Sequence, residues 1–228
     1  SKDRRKKSAK CLSVNTEEKI WLCHHCGWSG SLKGGSADSL GLHWRKPEFR
    51  KPEPVPKISL SDKTLSWLET RGISISTSEE CGVTAKEVYM PQSEEIKMAL
   101  AFPYYRGGEL INVKYRSGSK EFRSEVNSER ILYGLDDISD SDKVVIFVEG
   151  EMDKLSLYEA GIKNCVSVPD GAPSITSKDY SSKFDFLSEP KINGGENGRT
   201  YIIAVDNDGP GQRLQEELAR RLGKEVCS

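Results

Sequence analysis

The alternation of apolar and polar residues changes character along the chain. From Met98 it has the period of a strand: MALAFPYY, a turn at Arg106-Gly107-Gly108, then ELINVKYR. This predicts a β-hairpin, with Lys120 to Arg123 as a third strand. On its second strand Asn112, Lys114 and Arg116 alternate with Ile111, Val113 and Tyr115, which predicts a face of cations turned to solvent or to phosphate. Beyond Lys143 the pattern changes. Val144–Val148, Asn164–Val168 and Thr200–Val205 are apolar runs of the kind that make strands buried on both faces. Helical spacing follows the first, with Met152, Leu155 and Ala160 before Gly161, and the last, with Leu214, Leu218 and Leu222 before Gly223. Between them Lys178–Leu187 is amphipathic, with Tyr180, Phe184 and Leu187 on one face, and Pro190–Gly198 reads as a polar loop. This order implies a parallel sheet with right-handed crossovers, flanked by helices. A further strand is expected to begin at Glu225.

Earlier in the chain, Ser61–Arg71 predicts a helix with Ser61 as N-cap, Leu65 and Leu68 as its stripe and Gly72 as its stop. Ser78–Gly82 predicts a helical turn. Cys11–Val14 and Lys19–Leu22 predict a short hairpin around Asn15–Glu18. Ser29–Leu42 is rich in glycine and serine, and the basic, proline-rich strip His43–Lys57 can form neither a helix nor a central strand, so it is an extended linker.

Charge is unevenly placed. Residues 1–57 carry 13 basic and 6 acidic residues, and the remainder carries 21 and 29. A basic front and an acidic rear suit a protein that meets nucleic acid with one part and metal ions with the other. No apolar run is long enough to span a bilayer, no secretory leader opens the chain, and no G-x-x-x-x-G-K-[ST] phosphate loop is present. Of the six cysteines only Cys23 and Cys26 form a motif, C-H-H-C-G; the scatter of the others points to a reducing compartment. A C-x-x-C in a tight turn presents both thiolates to one Zn²⁺. The rival is a redox motif at a helix N-terminus, but G-W-S-G after Cys26 predicts a turn.

Two acidic turns carry the candidate chemistry. In VVIFVEGEMDK, Glu149-Gly150-Glu151 ends a strand and opens a helix; in YIIAVDNDGPG, Asp206 and Asp208 flank one residue at another strand end. Carboxyl ends of strands in open α/β sheets are where ligands bind. If the two turns meet, their carboxylates can share a divalent ion such as Mg²⁺, which takes a few carboxylates plus water and phosphate oxygens.

VVIFVEGEMDKLSLYEAG followed by AVDNDGPG resembles the Toprim domain. With VSVPDGAP (Val166–Pro173) between them, the chain is similar over most of its length to the primase half of phage-type primase–helicases, relatives of the organellar helicase Twinkle. The resemblance implies an α/β fold with an α+β N-terminal part. It divides the chain into a partial zinc ribbon (1–35), a basic linker (36–57), the first part of a primase core (58–137) and a Toprim domain (138–228). It implies template-directed RNA primer synthesis on single-stranded DNA from ribonucleoside triphosphates, with a replicative helicase as partner and no membrane. Glu149, Asp206 and Asp208 would hold Mg²⁺ or Mn²⁺, Glu149 doubling as a candidate general base. Glu151, Asp153 and Asp170 are lesser acidic candidates. Lys114, Arg116 and Lys120, and more weakly Arg123, would grip nucleotide and template. Cys23 and Cys26 would bind Zn²⁺ with an upstream C-x-x-C, and a further acidic segment would follow residue 228, so the resemblance implies truncation at both ends. The compartment would be a bacterial or phage-infected cytoplasm, or an organellar matrix. The alternatives are a non-polymerising DNA-binding region of a helicase and a Toprim nuclease.

Overall fold

The structure is a computed structural model and describes residues 12–16, 19–23, 29–31, 49–54, 60–172, 182–193 and 198–227. The chain divides into two compact units, Ser1–Glu48 and Phe49–Ser228. The first contains an antiparallel sheet of β1 (Leu12–Asn15), β2 (Ile20–Cys23) and β3 (Ser29–Ser31), with Leu12 opposite Cys23. Cys26 and the Cys23 thiol lie outside the described residues.

The second unit opens with α1 (Asp62–Glu69), where the Ser61 hydroxyl accepts the Thr64 N–H as N-cap, and α2 (Ile75–Glu80). A four-stranded antiparallel sheet follows in the order β4 (Thr84–Met90), β5 (Glu95–Arg106), β6 (Glu109–Ser117) and β7 (Phe122–Ser124). A 3₁₀ turn, Leu135–Asp137, leads into a parallel sheet ordered β10 (Thr200–Ala204), β8 (Val144–Val148), β9 (Cys165–Ser167). Its helices are α3 (Glu151–Glu159), the short α4 (Pro190–Asn193) and α5 (Gly209–Leu222).

One hydrophobic core joins the sheets: Leu100, Phe102 and Tyr104 of β5 pack with Tyr133, Phe147, Leu155 and Val166. A smaller cluster of Val88, Met90, Ala99, Ala101, Val113 and Tyr115 fills the other face of the antiparallel sheet. Both faces are therefore buried over much of β6, which corrects the solvent-facing assignment of Lys114 and Arg116. Lys114 faces Phe102 on β5 and Arg116 faces Leu100, so both point into the covered side. The hairpin tip is fastened too: the Asp136 carboxylate accepts the N–H of Gly107 (2.8 Å) and of Gly108 (2.7 Å), while Arg106 donates to Glu129 at 2.8 Å and to Glu189.

Three other expectations shift. β4 was not anticipated. Residues 182–188 form a 3₁₀ segment that buries Phe184 and Leu187, and the expected loop after Pro190 begins with α4. In place of a strand at Glu225 there is a 3₁₀ turn, Lys224–Val226, followed by a parallel bridge between Cys227 and Tyr201. Among the described residues no helix is long and apolar enough to cross a membrane.

Candidate metal and nucleotide site

The parallel pairing of β8 with β10 sets Val148 beside Ala204, so Glu149 and Asp206 leave the sheet at the same end. The Glu149 carboxylate accepts the Asp206 backbone N–H, yet its Oε2 is buried without a hydrogen-bond partner. Gly171, at φ +65, lies against it; a Cβ there would stand 3.6 Å from Oε1. Burial raises the Glu149 pKa, the charges of Asp206, Asp208 and Asp153 add to the rise, and the Asp206 N–H opposes it. A desolvated carboxyl group with a bare oxygen, surrounded by other carboxylates, is chemically suited to a cation. Among the described residues no group of three or more His, Cys, Asp or Glu side chains is placed to hold a metal ion by itself, so the structure does not bring Glu149, Asp206 and Asp208 together as a three-carboxylate site. An ion here would complete its shell with water and phosphate oxygens, as Mg²⁺ does.

The second turn is held differently. Asp206 and Asp208 are both exposed, and Asp208 caps α5 by accepting the Gly211 N–H at 2.8 Å. Pro210 occupies the first turn, where its missing N–H costs nothing. Gly211 allows the helix to start against the strand end: a Cβ there would stand 2.0 Å from the Asp206 carbonyl oxygen.

The lesser candidates separate. Glu151 is 3% exposed, and its Oε1 accepts from the Tyr104 hydroxyl (2.5 Å) and the Lys114 ammonium (2.7 Å). Lys114 also donates to the Pro169 carbonyl at 2.8 Å. Glu151 is thus neutralised by the antiparallel sheet, and Lys114 has its partners inside the fold. Asp153 turns back to accept the Gly150 N–H at 2.9 Å; burial raises its pKa, with Asp206 and Glu151 adding and that N–H and Arg71 opposing. Asp170 pairs with Arg130 at 2.8 Å.

Arg116 is 8% exposed and, among the described residues, has no carboxylate within ion-pair distance; its guanidinium lies 5.1 Å from the Trp67 ring and 6.0 Å from that of Phe122. Burial lowers its pKa, helped by the charge of Arg71, which stands 4.7 Å from the same Trp67 ring. Trp67 and Arg71 escaped the sequence reading because only the tertiary position of α1 brings them to the sheet; the single available signal was a tryptophan in a short amphipathic helix. Lys120 is exposed in the turn between β6 and β7, at φ +61, and Arg123 donates to the Tyr89 carbonyl at 2.8 Å.

Comparison with known proteins agrees with this architecture. Residues 143–227 match the Toprim domain family. The chain is 41% identical over 222 residues to the primase homolog protein of Arabidopsis thaliana, covering 91% of this chain and 61% of that protein. It is 43% identical over 219 residues to the Arabidopsis thaliana Twinkle homolog protein, chloroplastic/mitochondrial, covering 91% of this chain and 29% of that one. The chain therefore spans less than two thirds of either relative. Its fold is similar to the primase fragment of the bacteriophage T7 primase-helicase protein, with a TM-score of 0.57 at 21% identity over 92% of this chain and 81% of that one. The Aquifex aeolicus primase (zinc-binding and RNA polymerase domains) gives a TM-score of 0.50 at 16% identity, over 92% and 66%. The strand-end acids and these likenesses agree: residues 143–227 form a Toprim domain, and the chain around it is similar in sequence to the two Arabidopsis thaliana proteins and in fold to the phage and bacterial primases.

Proposed function

We propose that the chain is the catalytic part of a DNA primase, joining ribonucleotides on a single-stranded DNA template. The observation that carries this reading is Glu149, a desolvated carboxyl group with a bare buried oxygen beside Asp206. Glu149, Asp206 and Asp208 would hold Mg²⁺ or Mn²⁺, which when bound neutralises triphosphate charge and favours a nucleophilic 3′-hydroxyl. The raised Glu149 pKa also fits a group that takes up a proton from that hydroxyl. Arg116, Arg71 and Lys120 supply cations for triphosphate and template. Arg116 is already desolvated and has no ion-pair partner among the described residues, so a phosphate meets a charge that has given up its water. Lys114 reaches a phosphate only by releasing Glu151; its first role is to keep that acid neutralised. Cys23 and Cys26 would bind Zn²⁺ in a template-reading module together with an upstream pair. Metal analysis of a chain extended upstream is expected to find about one zinc per chain. A replicative helicase is the expected partner, and the organellar name of one relative makes a plastid or mitochondrion the expected compartment.

The test is incubation with single-stranded template, Mg²⁺ and labelled ribonucleotides. Short RNA products that fall by about 10²–10³-fold in Glu149→Gln, with folding intact, support polymerisation. Shortening of the template instead would identify a nuclease, and template binding without either product a helicase accessory region.

A further inference from the structure

The cluster beneath α3 takes no part in the chemistry above. Lys154 projects inward from α3 and is 1% exposed. Its ammonium donates to Asp137 Oδ2 at 2.5 Å and lies 3.5 Å from Sγ of Cys81, the C-cap residue of α2. The ring of Tyr158 is 4.1 Å away and that of Tyr133 5.7 Å, both faces that attract a cation. The surroundings are shaped to this side chain: Gly134 has φ +79, and a Cβ there would stand 2.6 Å from Lys154 Cε. Cys81 is a free, half-buried cysteine, and its nitrogen neighbour is fixed by Asp137. Burial raises the Cys81 thiol pKa and the Lys154 charge draws it back, so the thiol reacts slowly with peroxide.

We propose that a peroxide links Lys154 to Cys81 through a reversible covalent N–O–S bridge. One peroxide oxidises the Cys81 thiol to a sulfenic acid and leaves as water. A second oxidises the Lys154 amine to a hydroxylamine and also leaves as water. Condensation of the two hydroxyl groups expels a third water and joins Nζ to Sγ through one oxygen. Nitrogen and sulfur are oxidised and two peroxides are reduced; the proton lost from the ammonium passes to Asp137, which already accepts its hydrogen bond. From the 3.5 Å contact, an inserted oxygen asks the two atoms to approach less than a direct S–N bond would. The bridge would fasten α2 to α3, the helix that begins at the acidic turn, and would remove the cation from Asp137.

The experiment treats the whole chain with hydrogen peroxide and measures intact mass without reductant. Expected is a gain of about 14 Da, one oxygen in and two hydrogens out. Dithiothreitol should reverse it, and the Lys154 and Cys81 peptides should be joined. Cys165→Ser should retain the product, and Cys81→Ser, a mild change at a half-buried site, should lose it. Sulfinic or sulfonic acid alone at Cys81, a Cys81–Cys165 disulfide, or an unchanged mass in the folded chain would each overturn the proposal.

Discussion

The two acidic turns occupy equivalent places at the ends of neighbouring parallel strands, yet they are stabilised by different means. After β8 the acids sink into the protein: Glu151 is closed in by Lys114 and Tyr104, and Glu149 keeps one oxygen bare. After β10 the acids stay in water and are aimed by backbone, with Asp208 capping α5 and Gly211 allowing the close approach. A carboxylate taken from water requires a partner from elsewhere in the fold, whereas one left in water needs only a rigid turn. The first turn therefore depends on the antiparallel sheet, and the second depends on its own six residues.

Separating these dependencies gives tests of graded size. Lys114→Met should produce the largest loss, about 3–5 kcal/mol by denaturant unfolding, because it strands a buried charge. Replacing Glu151 by Leu in the same chain should recover much of that loss; a double variant as unstable as the sum of its parts would show the pair to be independent. Gly211→Ala should follow at about 1–3 kcal/mol, since a methyl group cannot coexist with the Asp206 carbonyl oxygen. It should also abolish activity by displacing Asp206 and Asp208, whereas Gly209→Ala, whose nearest contact is the Arg213 guanidinium at 3.4 Å, should be milder.

Asp208→Ala should cost about 1 kcal/mol as a lost N-cap, and Asp208→Ser should restore the melting temperature without activity. If Ser rescues both, Asp208 is only a cap. Glu149→Gln should have the smallest effect on stability, and of opposite sign. Its carboxyl pKa is raised above the usual 4.5. The group therefore favours folding below that value, and this contribution is lost as pH rises through the folded pKa. At neutral pH the ionised form opposes folding, so the variant should melt slightly higher. The difference should vanish below about pH 4, where the parent is protonated as well. A gap independent of pH would show that Glu149 is not the responsible charge.

Much of the parallel half was legible because its signals are local. Five apolar residues before Glu149, a leucine every fourth position before Gly223 and the D-N-D-G-P-G turn each state their own structure. The antiparallel half was less so. Thr84–Met90 mixes Lys86 and Glu87 into a strand that exists because β5 pairs with it from Thr84–Ala101 to Met90–Glu95. The alternation in β6 was read correctly as two faces, but which face meets water depends on what packs over it. Trp67 covers Arg116, and Glu151 receives Lys114 across 37 positions of chain. Exposure of a strand face is a tertiary property, so its cations looked like surface.

Hairpin tips ordinarily exchange their amide protons early, because nothing but water binds them. At Gly107 and Gly108 both N–H groups are instead bound to Asp136, in the turn that leads into the parallel sheet. Their exchange then requires the hairpin to lift away from that turn, even while the β5–β6 ladder stays intact. These two amides are consequently a clock for separation of the basic sheet from the acidic one. Their protection, measured with and without nucleotide, would time how often the two halves part.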